Sequence, residues 1–295
     1  MFPQLENNIH DLIYKRKLHS GLGDRFGVLF GLITIATIHN KKLYYVWSNG
    51  RRHDRIYDLE TINQYVKLPN ALLQDKDDHN PSNDFMELIH RKGGKIKCSS
   101  AYDCIPDLIP HTFDNLSIAD NKIDSFKDAY YKTLENVDVT IGTLPNEKYI
   151  VFHLRGGDKR YKNHHKDVAN TVKIINDISN MLNLCVIVLT DDHELKRLFK
   201  MNHELHCENP FTSKTEKDLY EFRLMMHSVC IIQYSPLAWS AYSNIASLTR
   251  KVPLINTCSD TFSRLKDFKE RGSDITFWFG NDEIDSFISY IKHTQ

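Results

Sequence analysis

The sequence predicts an α/β protein built from two Rossmann-like domains, and three observations support this prediction. Short apolar runs alternate with longer helical patterns from residue 149 onward. The first half shows a similar but less regular alternation, and 295 residues are enough for two domains. We place the boundary near Val137–Glu147, which predicts an N-terminal domain of residues 1–140 and a C-terminal domain of residues 141–295.

The second half contains the clearest elements. We predict strands at 149–155, 184–190, 229–234 and 252–256, and helices at 166–182, 193–200, 217–227, 237–249 and 282–292. In the first half we predict a helix at Phe26–His39, a strand at Lys42–Trp47 and a surface loop at Asp75–Asn83. The stretch LIYKRKLH, before the glycines, is not a convincing buried strand.

Charge and composition exclude several classes of protein. Lys+Arg and Asp+Glu number 38 each, so no overall field attracts nucleic acid or an anionic membrane. The best membrane candidate, Phe26–Ile38, is too short to span a bilayer, and the N-terminus lacks the apolar core of a signal peptide. The six cysteines contain no CxxC pair, which favours a reducing compartment. We expect a soluble, cytoplasmic protein without nucleic-acid partners or a membrane span.

Polar segments follow three predicted strands of the second half: HLRGGDK, TDDHE and QYSPLAWS. The carboxyl ends of parallel strands share one crevice, so we expect these segments to form a ligand site. Arg155 offers a planar fork suited to a pyrophosphate, and Ser235 precedes a predicted helix whose free N–H groups favour an anion. The alternatives are a surface ion pair between Arg155 and Asp158, helix capping by Asp191 or Asp192, and a turn role for Ser235.

The segment Ser20–Asp24 is predicted to form a glycine loop at the entry of the apolar helix. Glycine pairs allow a backbone to approach a phosphate closely. As a dinucleotide fingerprint the segment is poor, because the third glycine is Gly27 and no convincing strand precedes it. A plain helix-entry turn and a nicotinamide-dependent oxidoreductase are the alternatives.

Taken in order, these segments resemble those of the GDP-fucose-dependent fucosyltransferases, which include α1,2, α1,6 and protein-O enzymes. GLGDRFGVLFGLITIATIHNKKLYYVW is similar to their glycine loop, helix and strand, and HLRGGDK to their His-x-Arg-x-x-Asp motif. VIVLTDDHELKRLFK resembles the strand–Asp–Asp–helix element of the α1,6 enzymes. DLYEFRLMMHSVCIIQYSPLAWSAYSNIASL is similar to their late helix, strand and serine-bearing loop.

The resemblance implies a GT-B fold, in which two Rossmann-like domains face each other across a cleft and the C-terminal one binds the nucleotide-sugar donor. It implies that Arg155 binds the β-phosphate, that His153 lies by the nucleotide and that Ser235 contacts the diphosphate. An acidic base-reader is expected near Tyr220, where Glu221 is our candidate. The full set of expected donor-binding residues is Gly21, Leu22, Gly23, His153, Arg155, Asp191, Asp192, Glu221 and Ser235.

The expected reaction is an inverting, metal-independent transfer of a sugar, with fucose favoured, from a nucleoside diphosphate, with GDP favoured, to a hydroxyl of a glycan or protein. Arg155, the glycine-loop N–H groups and the helix start near Ser235 would stabilise the leaving diphosphate, so we expect no cofactor. Arg155 and Asp158 are therefore catalytic candidates. Asp24 is the candidate base, with helix capping as its alternative function, and the other candidate bases are His164, His165 and Asp167.

Two further classes compete with this interpretation. One is a metal-dependent GT-A-type glycosyltransferase, in which Asp191 and Asp192, or Asp75 and Asp77, would bind manganese and the diphosphate. A chelator would inactivate such an enzyme. The other is a non-catalytic protein that binds a glycan or a nucleotide, which would show binding without turnover.

Overall fold

A computed structural model describes residues 11–15, 21–38, 40–47, 57–74, 85–90, 96–98, 120–155, 167–205, 207, 209–235, 240–258, 277–279 and 283–294. The chain divides into two compact units. Unit 1 comprises Met1–Ile141 with Phe211–Leu219, and unit 2 comprises Gly142–Pro210 with Tyr220–Gln295. Each unit is built on a mainly parallel sheet, so the predicted α/β class is confirmed. The domain division at residue 140 and the arrangement of domains across a cleft stay predictions.

Unit 1 contains a five-stranded sheet of order β4–β2–β1–β5–β6. Its elements are β1 (Asp11–Lys15), α1 (Leu22–Ile38), β2 (Lys42–Val46), α2 (Leu59–Tyr65), β3 (Val66–Lys67), β4 (Ala71–Gln74), β5 (Phe85–His90), β6 (Ile96–Cys98), α3 (Asp120–Glu135) and β7 (Asp138–Val139). Strands β1, β2, β4 and β5 are parallel, whereas β6 is antiparallel to β5. Strands β3 and β7 form a separate antiparallel pair.

The segment before the glycines contains a strand, although its own residues are not convincing as a buried one. Asp11–Lys15 forms β1, which pairs with β2 on one side and with β5 on the other. A short strand that is paired along both edges is stabilised by its neighbours, so its own residue pattern matters less. The glycine segment therefore follows a central strand, as in other βαβ units.

Helix α1 is longer than predicted, and most of its side chains are buried. It begins at Leu22 rather than at the predicted Phe26, and Phe26, Phe30 and Ile33 are fully buried. The helix packs against α3, and its apolar surface on all sides is typical of a helix that is covered on several faces. No helix in the described parts of the chain is long and apolar enough to cross a bilayer.

Unit 2 contains a five-stranded, fully parallel sheet of order β12–β11–β10–β8–β9. Its elements are β8 (Tyr149–Leu154), α4 (Val168–Leu182), β9 (Cys185–Thr190), α5 (His193–Lys196), α6 (Lys214–Met226), β10 (Ile231–Tyr234), α7 (Ala241–Arg250), β11 (Leu254–Asn256), β12 (Phe277–Phe279) and α8 (Ile284–Thr294). The residues of α6 up to Leu219 belong to unit 1. The predicted strand–helix order is confirmed, and most bounds lie within three residues of the predicted ones. Helix α5 is shorter than predicted, α7 begins four residues later than 237, and β12 was not predicted.

The two faces of the unit 2 sheet differ in polarity. On one face Phe152 and Ile232 pack in a hydrophobic cluster with Ile174 and Ile175 of α4 and with α8. Side chains alternate along a strand, so the neighbouring residues point to the other face, which is covered by α7. That second face carries polar side chains near the carboxyl ends of its strands, and the candidate site lies there.

Candidate functional site

The sheet of unit 2 has a topological switch point between β8 and β10. The chain leaves β8 through α4 to reach β9 on one side, and it leaves β10 through α7 to reach β11 on the other. The N–H of Arg155 donates to the carbonyl of Tyr234 at 3.0 Å, which joins the two strand ends. Ligands of open α/β sheets bind in the crevice at such a point. The structure thus brings Arg155 and Ser235 to neighbouring strand ends, while their roles stay predictions.

His153 lies beneath this crevice near the end of β8. Its side chain is only 8% exposed, and its ring meets that of Tyr242 edge-on at 5.9 Å between centroids. Burial, together with the nearby positive charge of Arg155, lowers the pKa of His153 from 6.5 to about 4. The imidazole is therefore neutral at pH 7. Its Nδ1 has no hydrogen-bond partner within the described residues, so this atom can serve a ligand.

The segment after Arg155 is described only in part. Asp158, His164 and His165 lie outside the described residues, and their predicted roles are not tested. Asp167 is described: it adopts a left-handed backbone conformation with φ of 64° at the start of α4. Its side chain makes no capping hydrogen bond to that helix. A non-glycine residue in this conformation costs some free energy and often marks a functional segment.

The two acidic residues after β9 have different environments. Asp192 caps α5, because its carboxylate accepts a hydrogen bond from the N–H of Leu195 at 2.9 Å. Of the two residues for which helix capping was the alternative function, Asp192 is the one that caps the helix. The side chain of Asp191 is exposed. Asp191 also acts electrostatically on His153, whose pKa it raises against the larger effect of burial. No group of three or more potential metal ligands occurs among the residues described.

The predicted helix start at Ser235 needs correction. Ser235 is buried directly after β10, but α7 begins at Ala241, so Ser240 is the N-cap residue. The predicted helix included residues 237–239, which lie outside the described part of the chain. Ser240 is 1% exposed, and neither its Oγ nor Nδ2 of Asn244 has a partner within that described part. A serine just before a helical pattern is a common N-cap signal, so Ser240 could have been recognised from the sequence but was not.

A cavity of about 130 Å³ opens beside β9 and α6. Its polar wall consists of Thr190, His193, Lys196, Cys207, Asn209, Tyr220 and Glu221. The hydroxyl of Tyr220 donates to the carbonyl of Thr143 at 3.0 Å, and burial raises the pKa of Tyr220 to about 12. Tyr220 therefore stays neutral and contributes shape, which leaves Glu221 as the acidic group in this wall.

The glycine segment of unit 1 is largely helical rather than a loop. The N–H of Arg25 donates to the carbonyl of Gly21 at 3.2 Å, and Leu22, Gly23 and Asp24 belong to the first turn of α1. The first N–H groups of a helix have no intrahelical acceptor, so they can bind an anion. The side chain of Asp24 lies outside what the structure describes, and its predicted role as a base is not tested.

Arg25, the next residue along α1, is held by aromatic rings. Its side chain is 1% exposed, and its guanidinium lies 4.8 Å from the ring centroid of Trp47 and 5.4 Å from that of Tyr57. The indole N–H of Trp47 donates to the carbonyl of Tyr57 at 3.0 Å, which fixes both rings. These contacts indicate that Arg25 anchors the first turn of α1.

Comparisons with known proteins gave structural likenesses only. No protein-family model matches the chain, and no curated protein sequence matches it significantly. The chain is similar to TibC, an iron-containing dodecameric heptosyltransferase of enterotoxigenic E. coli solved with ADP-D-beta-D-heptose (16% identity, TM-score 0.42). It is also similar to NodZ, an α-1,6-fucosyltransferase of Bradyrhizobium solved with GDP-fucose (13%, 0.43), and to POFUT1 in its apo form (10%, 0.45).

These matches differ in coverage. The match to TibC includes 85% of this chain and 58% of TibC. The match to NodZ includes 84% of this chain and 95% of NodZ, and the match to POFUT1 includes 85% of this chain and 99% of POFUT1. The chain thus spans less than two thirds of the length of TibC. A TM-score below 0.5 carries no argument about activity, so the functional interpretation depends on the residues at the switch point.

Proposed function

We propose that the chain is a glycosyltransferase whose unit 2 binds a nucleoside-diphosphate sugar. The observation that carries this proposal is the switch point between β8 and β10, where the neutral imidazole of His153, the cation of Arg155 and the start of α7 occur at adjoining strand ends. A pyrophosphate needs a planar cation and convergent N–H donors, and this edge of the sheet supplies both kinds of group.

The rest of the donor is assigned by charge and shape. The cavity beside β9 would take the base, with the carboxylate of Glu221 accepting from the exocyclic N2–H₂ group of guanine. Adenine and the pyrimidines lack a donor at that position, so we propose GDP as the donor nucleotide. Asp191, exposed at the end of β9, would accept hydrogen bonds from the ribose. The favoured sugar is fucose, on the resemblance of the motifs.

The chemistry follows from the charge of the leaving group. Breaking the sugar–phosphate bond leaves a negative diphosphate, which Arg155 and the N–H groups at the start of α7 stabilise in place of a metal ion. An inverting displacement also needs a base for the acceptor hydroxyl of a glycan or protein. Asp24 is the proposed base, and Asp167, His164 and His165 are the alternatives.

A calorimetric titration of the full chain with GDP, ADP, UDP and dTDP, each with and without EDTA, tests this proposal. We expect GDP to bind most tightly, with unchanged affinity in EDTA, and GDP-fucose to be hydrolysed or transferred slowly. Binding of none of the four diphosphates would refute a donor site. Binding that EDTA abolishes would support the metal-dependent alternative, and tight binding without any turnover would support a non-catalytic protein.

A further inference from the structure

A row of polar side chains crosses the unit 2 sheet next to the switch point. His153 of β8 pairs with Gln233 of β10, which pairs in turn with Asn256 of β11. Residues in register on neighbouring strands point to the same face, so this polar row lies beneath α7. The side chain of Gln233 is at the centre of the row and is 1% exposed. Burying an amide is costly unless it is hydrogen-bonded, so its partners are informative.

Gln233 connects the strand ends to the start of α7. Its Nε2 donates to Oγ of Ser243 at 2.9 Å, within the first turn of that helix. Oγ of Ser243 donates in turn to the carbonyl of Ser240, the N-cap residue, at 3.5 Å. The amide of Gln233 thus braces the turn from which α7 presents its free N–H groups.

The main chain of Gln233 connects the same point to α4. Its carbonyl accepts from the N–H of Thr257 at 3.0 Å and from Oγ1 of Thr257 at 3.1 Å. Oγ1 of Thr257 accepts from Oγ1 of Thr171, on α4, at 2.8 Å. The N–H of Thr171 donates to the carbonyl of Asp167 at 2.7 Å, at the beginning of that helix. One buried chain of hydrogen bonds therefore runs from the start of α4 to the start of α7.

Three buried polar atoms along the α7 side of this chain have no hydrogen-bond partner within the described residues: Oε1 of Gln233, Oγ of Ser240 and Nδ2 of Asn244. All three belong to side chains that are at least 98% buried. Buried polar atoms are normally paired, so these three atoms indicate that a polar group beyond the described residues completes this region. An anion bound at the start of α7 would accept hydrogen bonds from Oγ of Ser240 and from Nδ2 of Asn244, whereas Oε1 of Gln233 needs a donor.

We propose that Gln233 is a positioning residue for the donor diphosphate. It holds the starts of α4 and α7 at the carboxyl ends of β8 and β10 through its two sets of hydrogen bonds. The inference rests on the proposed function, because it assumes that the diphosphate binds at this switch point. Gln233 itself contacts neither the sugar nor the base. It acts on the diphosphate site through Ser243 and Thr257.

The test compares hydroxyl removal with hydroxyl retention in the full chain. Thr257→Val removes the two hydroxyl hydrogen bonds at nearly constant volume, whereas Thr257→Ser keeps them. We expect GDP to bind roughly tenfold more weakly to Thr257→Val and to Gln233→Met, with a smaller loss for GMP, and Thr257→Ser to bind GDP as the unmodified chain does. The binding stoichiometry from calorimetry shows that each variant is folded. If Gln233→Met does not fold, Ser243→Ala replaces it.

The possible failures are distinguishable. If the unmodified chain binds no nucleoside diphosphate, the proposed function is wrong, and this inference is then wrong as well. If the unmodified chain binds GDP and the folded variants bind it equally well, the network is structural only and the inference alone is overturned. An equal loss of GMP and GDP affinity would also overturn it, because the positioning would then not concern the diphosphate.

Discussion

The two units each contain a five-stranded, mainly parallel sheet, but their strand orders differ and so does the make-up of their central strands. In unit 1 the strand order changes direction beside β1, and in unit 2 it does so beside β8. Every residue of β8, YIVFHL, is buried, whereas β1 has the sequence DLIYK and is stabilised by pairing on both edges. A parallel strand that is buried on both faces can be recognised from its own residues, and one with charged ends cannot.

The segments that follow these two strands differ in a second respect. After β1 the chain soon enters α1, where Arg25 is buried against Trp47 and Tyr57. After β8 the chain carries Arg155, which is partly exposed at the switch point. Both side chains are guanidinium groups in segments that follow a central strand, so their environments decide their roles. We expect Arg25 to stabilise unit 1 and Arg155 to act on the donor.

The largest expected effect separates these two arginines. Arg155→Ala should lower the rate of sugar transfer by about 10²–10³, because it removes a donor that stabilises the leaving diphosphate. Its far-UV circular dichroism should match that of the unmodified chain. Arg155→Lys should recover part of the rate, since it keeps the charge but not the bidentate geometry. The measurement is the release of GDP from GDP-fucose with a glycan acceptor.

Arg25→Ala is the matched control for that experiment. It removes two cation–π contacts with buried rings and leaves a cavity, so it should lower the free energy of unfolding by about 3 kcal/mol. Urea denaturation measures this loss. If Arg25→Ala were fully stable and inactive while Arg155→Ala kept its activity, the roles assigned to the two arginines would be reversed.

The second effect concerns pH and the burial of His153. In the unfolded chain this imidazole takes up a proton near its ordinary pKa of 6.5, but in the folded chain it does so only near pH 4. Stability is therefore lost as pH falls from 6.5 toward 4, and the share of His153 reaches about 3 kcal/mol at pH 4. Urea denaturation at pH 7, 6, 5 and 4.5 should show a shallower decline in His153→Gln than in the unmodified chain.

His203→Gln is the control for the pH experiment, since His203 is exposed and is hydrogen-bonded to Asn180 at 3.0 Å. Its stability should depend on pH in the same way as that of the unmodified chain. Carboxylates also make the free energy of unfolding depend on pH. This contribution is the same in both variants, so it cancels when one stability curve is subtracted from the other. Parallel curves for His153→Gln and the unmodified chain would show that burial does not control this group.

The comparison of the two units also shows how far the sequence alone can predict such a molecule. The strands β8, β9, β10 and β11 were predicted because each is an apolar run next to a periodic helix. The short β12 was not, since three residues carry too little pattern. In unit 1 the strand β1 was missed because its stabilisation comes from partners that are distant in sequence.

The candidate site was predictable to a similar degree. The positions of His153 and Arg155 at a strand end followed from the motif and the strand pattern. The true start of α7 at Ala241 was missed, although Ser240 before it is a common N-cap residue. The cavity beside β9 was also beyond reach, since its wall is assembled from β9, α5, α6 and the residues between them. Such convergence depends on tertiary packing rather than on any local pattern.

The smallest expected effects on stability come from removing two helix caps, one in each unit. Asp58 caps α2 by accepting from the N–H and Oγ1 of Thr61 at 2.7 and 2.6 Å, and these bonds lower the pKa of Asp58. Asp192 caps α5 through the N–H of Leu195. Each change to alanine should cost about 1 kcal/mol in the free energy of unfolding, and each change to asparagine much less.

The two caps should nevertheless differ in ligand binding, because only Asp192 lies at the carboxyl end of a strand beside the proposed donor site. Asp192→Ala should weaken GDP binding severalfold, whereas Asp58→Ala should leave it unchanged. Calorimetry on both variants, at a temperature where both are folded, makes the comparison. If Asp192→Ala binds GDP as tightly as the unmodified chain, the carboxylate of Asp192 serves the helix alone and does not help to position the exposed Asp191, the proposed ribose contact.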